Sequence, residues 1–272
     1  MGPLGLGLAL AIAGCANTSG TSKARSLAAS FAAGRAYDRA QGAIKSGDDA
    51  RFGAAGRDFN RAQNQISGAK GLSRVLVPQL VSAAMQLDNT AAQLASLDDA
   101  PRLRARALQK YRAANALLPA HPAPATVDAV TLNAIGYALA DRGTSRADWT
   151  RGAQLTRLSL DEWDRQAKGL SKNDPRRAQI EAARMQTLDS NAWALFRLGR
   201  FKQARRQQER VMSFARKNPK FPTAELPFHL AEIYRALGRD DDAKLQYQAA
   251  QDLAPDAQLA LQIDAALNAK IV

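Results

Sequence analysis

Residues 237–255 read LGRDDDAKLQYQAAQDLAP, and their spacing decides the fold. Ala243 stands four residues before Tyr247 and Ala250 three after it, so all share one face of a helix. Small residues on that face let a neighbouring helix approach closely, and the aromatic ring fills the gap beside them. Gly238 permits the tight turn before the helix, and Pro255 ends it. The carboxylates Asp240, Asp241 and Asp242 come just after the glycine, beyond Arg239, where a helix start favours them through capping and the backbone dipole.

The series recurs along the chain. Ala107, Tyr111, Ala114 and Pro119 repeat it at identical spacing, and Ala55, Phe59 and Ala62 repeat its first members. Leu198-Gly199-Arg200 is followed by Ala204 just as Leu237-Gly238-Arg239 is followed by Ala243. Further outward, helix stops and starts fall at Gly47-Asp48-Asp49, Gly68 to Gly71, Asp98 to Pro101, Gly143, Lys172-Asn173-Asp174-Pro175, Asn218-Pro219 and Pro255. The Pro-rich patch from Pro119 to Pro124 reads as a linker between a front and a back half. β-branched runs are almost absent, Val75-Leu76-Val77 being the nearest, so the predicted fold class is all-α. Each helix pair leaves an apolar face open, and such pairs must stack.

The stretch 131–255 carries a family resemblance. Thr131 to Gly143 (TLNAIGYALADRG), Leu188 to Phe201 (LDSNAWALFRLGRF) and Leu230-Ala231 with Tyr234 and Leu237-Gly238 look like first helices of successive units. Together with the second-helix series they resemble the tetratricopeptide repeat, a helix–turn–helix unit of about 34 residues. Ile135-Gly136 and Leu230-Ala231 stand for the family's first-helix pair, whereas Asn191-Ala192 and Gln208 depart from it. The resemblance implies an α-solenoid of about ten or eleven helices in a right-handed superhelix. It divides the chain into weakly similar hairpins over 24–119 and tetratricopeptide-like repeats with a final capping helix over 125–272. It also implies a concave face, lined by first helices, that takes an extended peptide or a partner's helix. On that pattern the exposed positions are Asn133, Tyr137, Asp189, Trp193, Arg197, Phe228, Glu232 and Arg235. Packing between repeats is the competing role for Trp193 and Tyr137. The family's carboxylate-gripping Lys/Asn set is not reproduced.

The chain has 272 residues, 46% of them hydrophobic, a size that supports one extended domain or two small ones. Its formal charge of +13 permits an anionic partner. The basic residues read as scattered (Arg102, Arg104 and Arg106; Arg176 and Arg177; Arg205 and Arg206), and no nucleic-acid motif accompanies them, so no nucleic acid is expected.

The single cysteine, Cys15, excludes an intrachain disulfide. It follows an apolar stretch, Pro3 to Gly14, that is too short to span a bilayer and the right length for a signal-peptide core. Ile12-Ala13-Gly14-Cys15 resembles the bacterial lipobox. That resemblance implies a signal peptide over 1–14, lipidation of Cys15 and a flexible tether over 15–23. Ala16, in place of an inner-membrane-retaining Asp, points to the periplasmic face of the outer membrane. No Lys or Arg precedes the apolar stretch, so the start is expected upstream of residue 1.

Chemistry-bearing motifs are scarce. His121 and His229 are far apart in sequence and neither has a helical metal partner. There is no Gly-rich phosphate loop, nucleophile elbow or zincin helix. Asp161-Glu162-Trp163-Asp164 lacks the spacing of a calcium loop. The expectation is a binding protein with no catalytic residues, cofactor or metal: a lipid-anchored envelope adaptor for a protein or peptide partner. The alternatives are direct binding of an anionic polymer or lipid headgroups through the basic surface, and an envelope enzyme on a helical scaffold.

Overall fold

The computed structural model describes residues 70–93, 99–118, 127–171 and 173–268, with the single positions 35, 39, 51, 54 and 58. Cys15, the tether, the linker at Pro119 to Pro124 and His121 lie outside the described residues. Among the single positions, Arg39 and Asp58 form an ion pair at 3.0 Å.

The described chain is all α-helix: α1 (Lys70–Gln93), α2 (Asp99–Ala116), α3 (Ala129–Arg142), α4 (Arg146–Lys168), α5 (Arg176–Arg197), α6 (Phe201–Lys217), α7 (Glu225–Ala236), α8 (Asp240–Asp252) and α9 (Ala257–Asn268). The boundaries fall at the breakers read from the sequence, and the Val75-Leu76-Val77 stretch lies inside α1, with Pro78 beside it. Each helix packs mainly on its neighbour in the chain, as helical hairpins do; α1, α3, α5 and α7 also touch in succession. The core is therefore a row of linked clusters. Leu80, Tyr111, Ile135 and Leu155 belong to one near the front, and Trp193, Phe228, Tyr247 and Ile263 to one near the back.

The repeated glycines have separable jobs. Gly199 and Gly238 adopt positive φ, +77° and +69°, between α5 and α6 and between α7 and α8. After α5 the Gly199 amide donates to the Phe196 carbonyl and the Arg200 amide to the Leu195 carbonyl. After α7 the Gly238 amide donates to the Arg235 carbonyl and the Arg239 amide to the Tyr234 carbonyl. Both are Schellman closures, which satisfy helix-end carbonyls and reverse the chain. Gly136 works differently: a β-carbon there would stand 2.7 Å from Thr156 Cγ2 and 3.0 Å from the Gly152 carbonyl oxygen. Here α3 and α4 cross with two glycines facing each other.

Two of the three second-helix series are packing faces, and the third, Ala55, Phe59 and Ala62, lies outside the described residues. Ala107, Tyr111 and Ala114 of α2, and Ala243, Tyr247 and Ala250 of α8, are all buried. Side chains cap the helices where polar residues precede them: Asp128 accepts from the Thr131 amide at 2.8 Å, and Ser145 from the Asp148 amide at 3.1 Å. No helix among the described residues is long and apolar enough to cross a membrane.

Candidate functional site

A cleft of about 530 Å³ opens between α2, α3, α7 and α9. Pro101, Arg104 and Leu108 of α2 form one wall and Phe228, His229 and Glu225 of α7 the opposite one; Tyr137 and Asp141 come from α3, and Leu259 and Gln262 from α9. Its mouth is bridged by Arg104, whose guanidinium pairs with Asp256 at 3.3 Å. Asp256 also accepts from the Leu259 amide at 2.8 Å, so one carboxylate both starts α9 and holds it against α2.

His229 is almost fully buried, yet it forms part of the cleft wall. Its Nδ1 lies 2.9 Å from the Asp189 carboxylate on α5, and the same carboxylate oxygen accepts from Gln208 Nε2 of α6 at 2.6 Å. Gln208 Nε2 also donates to the Leu226 carbonyl at 3.0 Å. Trp193 stacks on the imidazole at 4.3 Å and donates its indole N–H to Asp141 at 3.2 Å. Burial by itself lowers the His229 pKa. The charge of Asp189 and its hydrogen bond, helped by Asp141 and Glu225, outweigh this and raise it above the ordinary value. Tyr137 is held well above a normal phenol by burial, and then by Asp141, Asp189 and Glu225.

The charges around the cleft are unevenly committed. Arg142 is engaged by Asp88 at 2.5 and 2.8 Å and lies over the Tyr111 ring, and Arg104 is engaged by Asp256. Glu225 is exposed and makes no ion pair or side-chain hydrogen bond among the described residues. The Tyr137 hydroxyl likewise has no hydrogen-bond partner among them. With both arginines occupied, the groups left facing a ligand are carboxylate, phenol and the amides of Gln258 and Gln262. Among the described residues, no serine, threonine or cysteine lines the cleft beside the Asp189–His229 pair. Among the described residues, no group of His, Cys, Asp or Glu side chains is placed to hold a metal ion.

The positions expected on an open face are distributed differently. Tyr137 and Phe228 do meet at the cleft. Asp189, Trp193 and Phe228, however, are buried rather than exposed, with 7%, 6% and 8% of their surface accessible. Both rings belong to a buried cluster with Ala194 and Ala231, and Trp193 also stacks on Phe196 at 4.8 Å. Arg197 turns back to the α3 end, donating to the Asp141 carbonyl at 2.7 Å and lying over Trp149. Asn133 is half-buried on α3, and its buried side-chain oxygen has no partner. Glu232 accepts from Tyr247 and from Arg235 (2.6 Å), which places that pair toward α8 and away from the cleft lining. Sequence reading missed Asp141, Glu225, His229, Arg104 and the whole contribution of α9. The available signal was small: Gln208, a polar residue where an aromatic was expected, turns out to be the ligand of Asp189. Asn191, the other departure, donates to Thr156 Oγ1 at 2.8 Å and the Ala153 carbonyl at 3.2 Å. Comparison with protein-family models, curated proteins and solved structures gave no match.

Proposed function

We propose that this chain is a tetratricopeptide-like adaptor of the bacterial envelope, anchored through lipid on Cys15, which holds a protein partner by seating a basic segment in the cleft. The observation that carries the reading is the charge balance of the cleft. In a chain of net charge +13, the cleft has its arginines already paired and presents Glu225, beside the Tyr137 hydroxyl, as its open carboxylate, while Asp141 is already engaged by the Trp193 indole and by Arg142. A Lys or Arg head on an aliphatic stem suits this lining, because Leu108, Phe228 and Leu259 can cover the stem while the acceptors take the cation. Support for the solenoid comes from the successive hairpins, the paired Schellman turns and the contacts that link α1, α3, α5 and α7. The role is binding rather than catalysis, and it uses no metal or cofactor.

The test is an array of short peptides of graded charge probed with the full chain. Basic peptides should bind, and Glu225→Gln should weaken them about tenfold, the loss of one charge-assisted hydrogen bond. Preferential binding of acidic peptides, or binding indifferent to Glu225→Gln, overturns the reading. Incorporation of a palmitate analogue that disappears in Cys15→Ser tests the anchor separately.

A further inference from the structure

The net charge is not spread over the molecule as the sequence suggested. Residues 200–220 hold eight Lys and Arg against one acidic residue, Glu209, which accounts for seven of the thirteen net positive charges. They centre on α6, and the helix geometry sorts them. Lys202, Arg206, Arg210 and Lys217 fall within about 80° of arc at 100° per residue, a straight stripe about 22 Å long. Ala204, Gln208, Val211 and Ala215 occupy the opposite, buried side.

Seven cations of this segment are exposed: Arg200, Lys202, Arg206, Arg210, Arg216, Lys217 and Lys220. None of them makes an ion pair or side-chain hydrogen bond among the described residues. The one carboxylate of the helix does not neutralise them. Glu209 accepts from the Tyr234 hydroxyl at 3.1 Å and sits between Arg205 and Arg239, at 3.8 and 4.0 Å. Elsewhere on the surface, several exposed arginines are matched, Arg157 by Asp161, Arg165 by Glu162 and Arg176 by Asp174, and exposed cations without a partner, such as Arg146 and Lys168, stand apart from one another. Seven neighbouring like charges without counter-charges repel one another, and an external anion layer relieves that repulsion.

We propose that the exposed face of α6 docks on an anionic lipid surface. A straight ridge on an outer helix brings all its cations to a flat charged plane together. The aromatics of the segment are unavailable for stacking on nucleic-acid bases, since Phe214 and Phe221 pack edge-to-face at 4.9 Å and Phe201 packs on Phe196. The stripe has no large apolar residue to insert, so attachment is electrostatic and sensitive to salt. This surface is distinct from the cleft lining and goes beyond the adaptor reading.

The experiment is co-sedimentation of the full chain carrying Cys15→Ser, so that no acyl group contributes, with phosphatidylcholine vesicles containing or lacking phosphatidylglycerol. Binding should require phosphatidylglycerol and fall steeply with added salt. Arg206→Glu/Arg210→Glu/Lys217→Glu should lower the partition coefficient on the order of a hundredfold or more, at about 1 kcal/mol per cation at such a surface. The neutral Gln triple variant should lose less than the Glu triple. An equal set of reversals on α4, Arg146→Glu/Arg157→Glu/Lys168→Glu, should lose far less than the α6 set. Helical circular dichroism checks that each variant folds. Equal loss from the two charge-reversed sets, equal binding to both vesicle types, or tighter binding of duplex DNA than of the anionic vesicles overturns the proposal.

Discussion

A methyl group at Gly136 would meet backbone and side chain of α4 at 2.7–3.0 Å, whereas one at Gly199 or Gly238 would meet nothing within 4 Å. The same residue type is therefore required for two reasons, and substitution separates them. Gly136→Ala should cost about 1–3 kcal/mol through overpacking against Thr156 and Gly152, read as a lowered denaturation midpoint. At the same scale, His229 couples stability to pH. Its pKa is raised in the folded chain, so its contribution is fully present below the unfolded value of about 6.5 and is lost as pH rises through the folded value. The stability gap between wild type and His229→Gln should be widest below the unfolded value and should narrow as pH rises through the folded one; a gap independent of pH would show that the Asp189 pairing is not ionic. Gln208→Leu removes a donor from both Asp189 and the Leu226 carbonyl and should cost about 1–3 kcal/mol. At this scale the sequence was informative about small residues and silent about the network. A glycine or alanine declares a close approach by its size, while a lone histidine, aspartate and glutamine on separate helices declare nothing until packing joins them.

Among the elements, the α5–α6 and α7–α8 hairpins are specified most locally. Both Leu-Gly-Arg turns place glycine in the left-handed region and close with the same pair of backbone hydrogen bonds. Gly199→Ala and Gly238→Ala should each cost on the order of 1–2 kcal/mol, purely as backbone strain in open space. Their effects should add, since the turns belong to different hairpins, which equilibrium unfolding of the double variant measures. The alternating polar and apolar positions of α6 are equally local, and its exposed cation stripe follows from them. That stripe was visible as composition but read as scatter, because unpaired charge differs from paired charge only through neighbours such as Asp161 on α4, which the stripe lacks. The burial of Trp193 and Phe228 shows the converse error. Both stand where a first helix can face a ligand, and both are covered because adjacent helices close over the space beside alanine.

At the scale of the whole molecule, the cleft exists because the region around α9 returns to α2. The Arg104–Asp256 pair joins residues 152 positions apart and is partly exposed, so it contributes little to stability, about 0–1 kcal/mol. Arg104→Gln should leave the denaturation midpoint nearly unchanged and yet raise amide hydrogen exchange in α9, which has few other large buried side chains than Leu259 and Ile263. A large fall in global stability would mean that the pair is structural. The sequence by itself determined the helices, their ends, the glycine turns and the buried Ala–Tyr–Ala faces. All of these are set within one or two helical turns by residue size, φ preference and periodicity. Only the tertiary structure decided which charges are spent and which remain open. Arg104, Arg142 and Asp189 find partners far along the chain, while Glu225 and the α6 cations do not, and charge pairing between distant elements depends on how the hairpins stack rather than on any local rule.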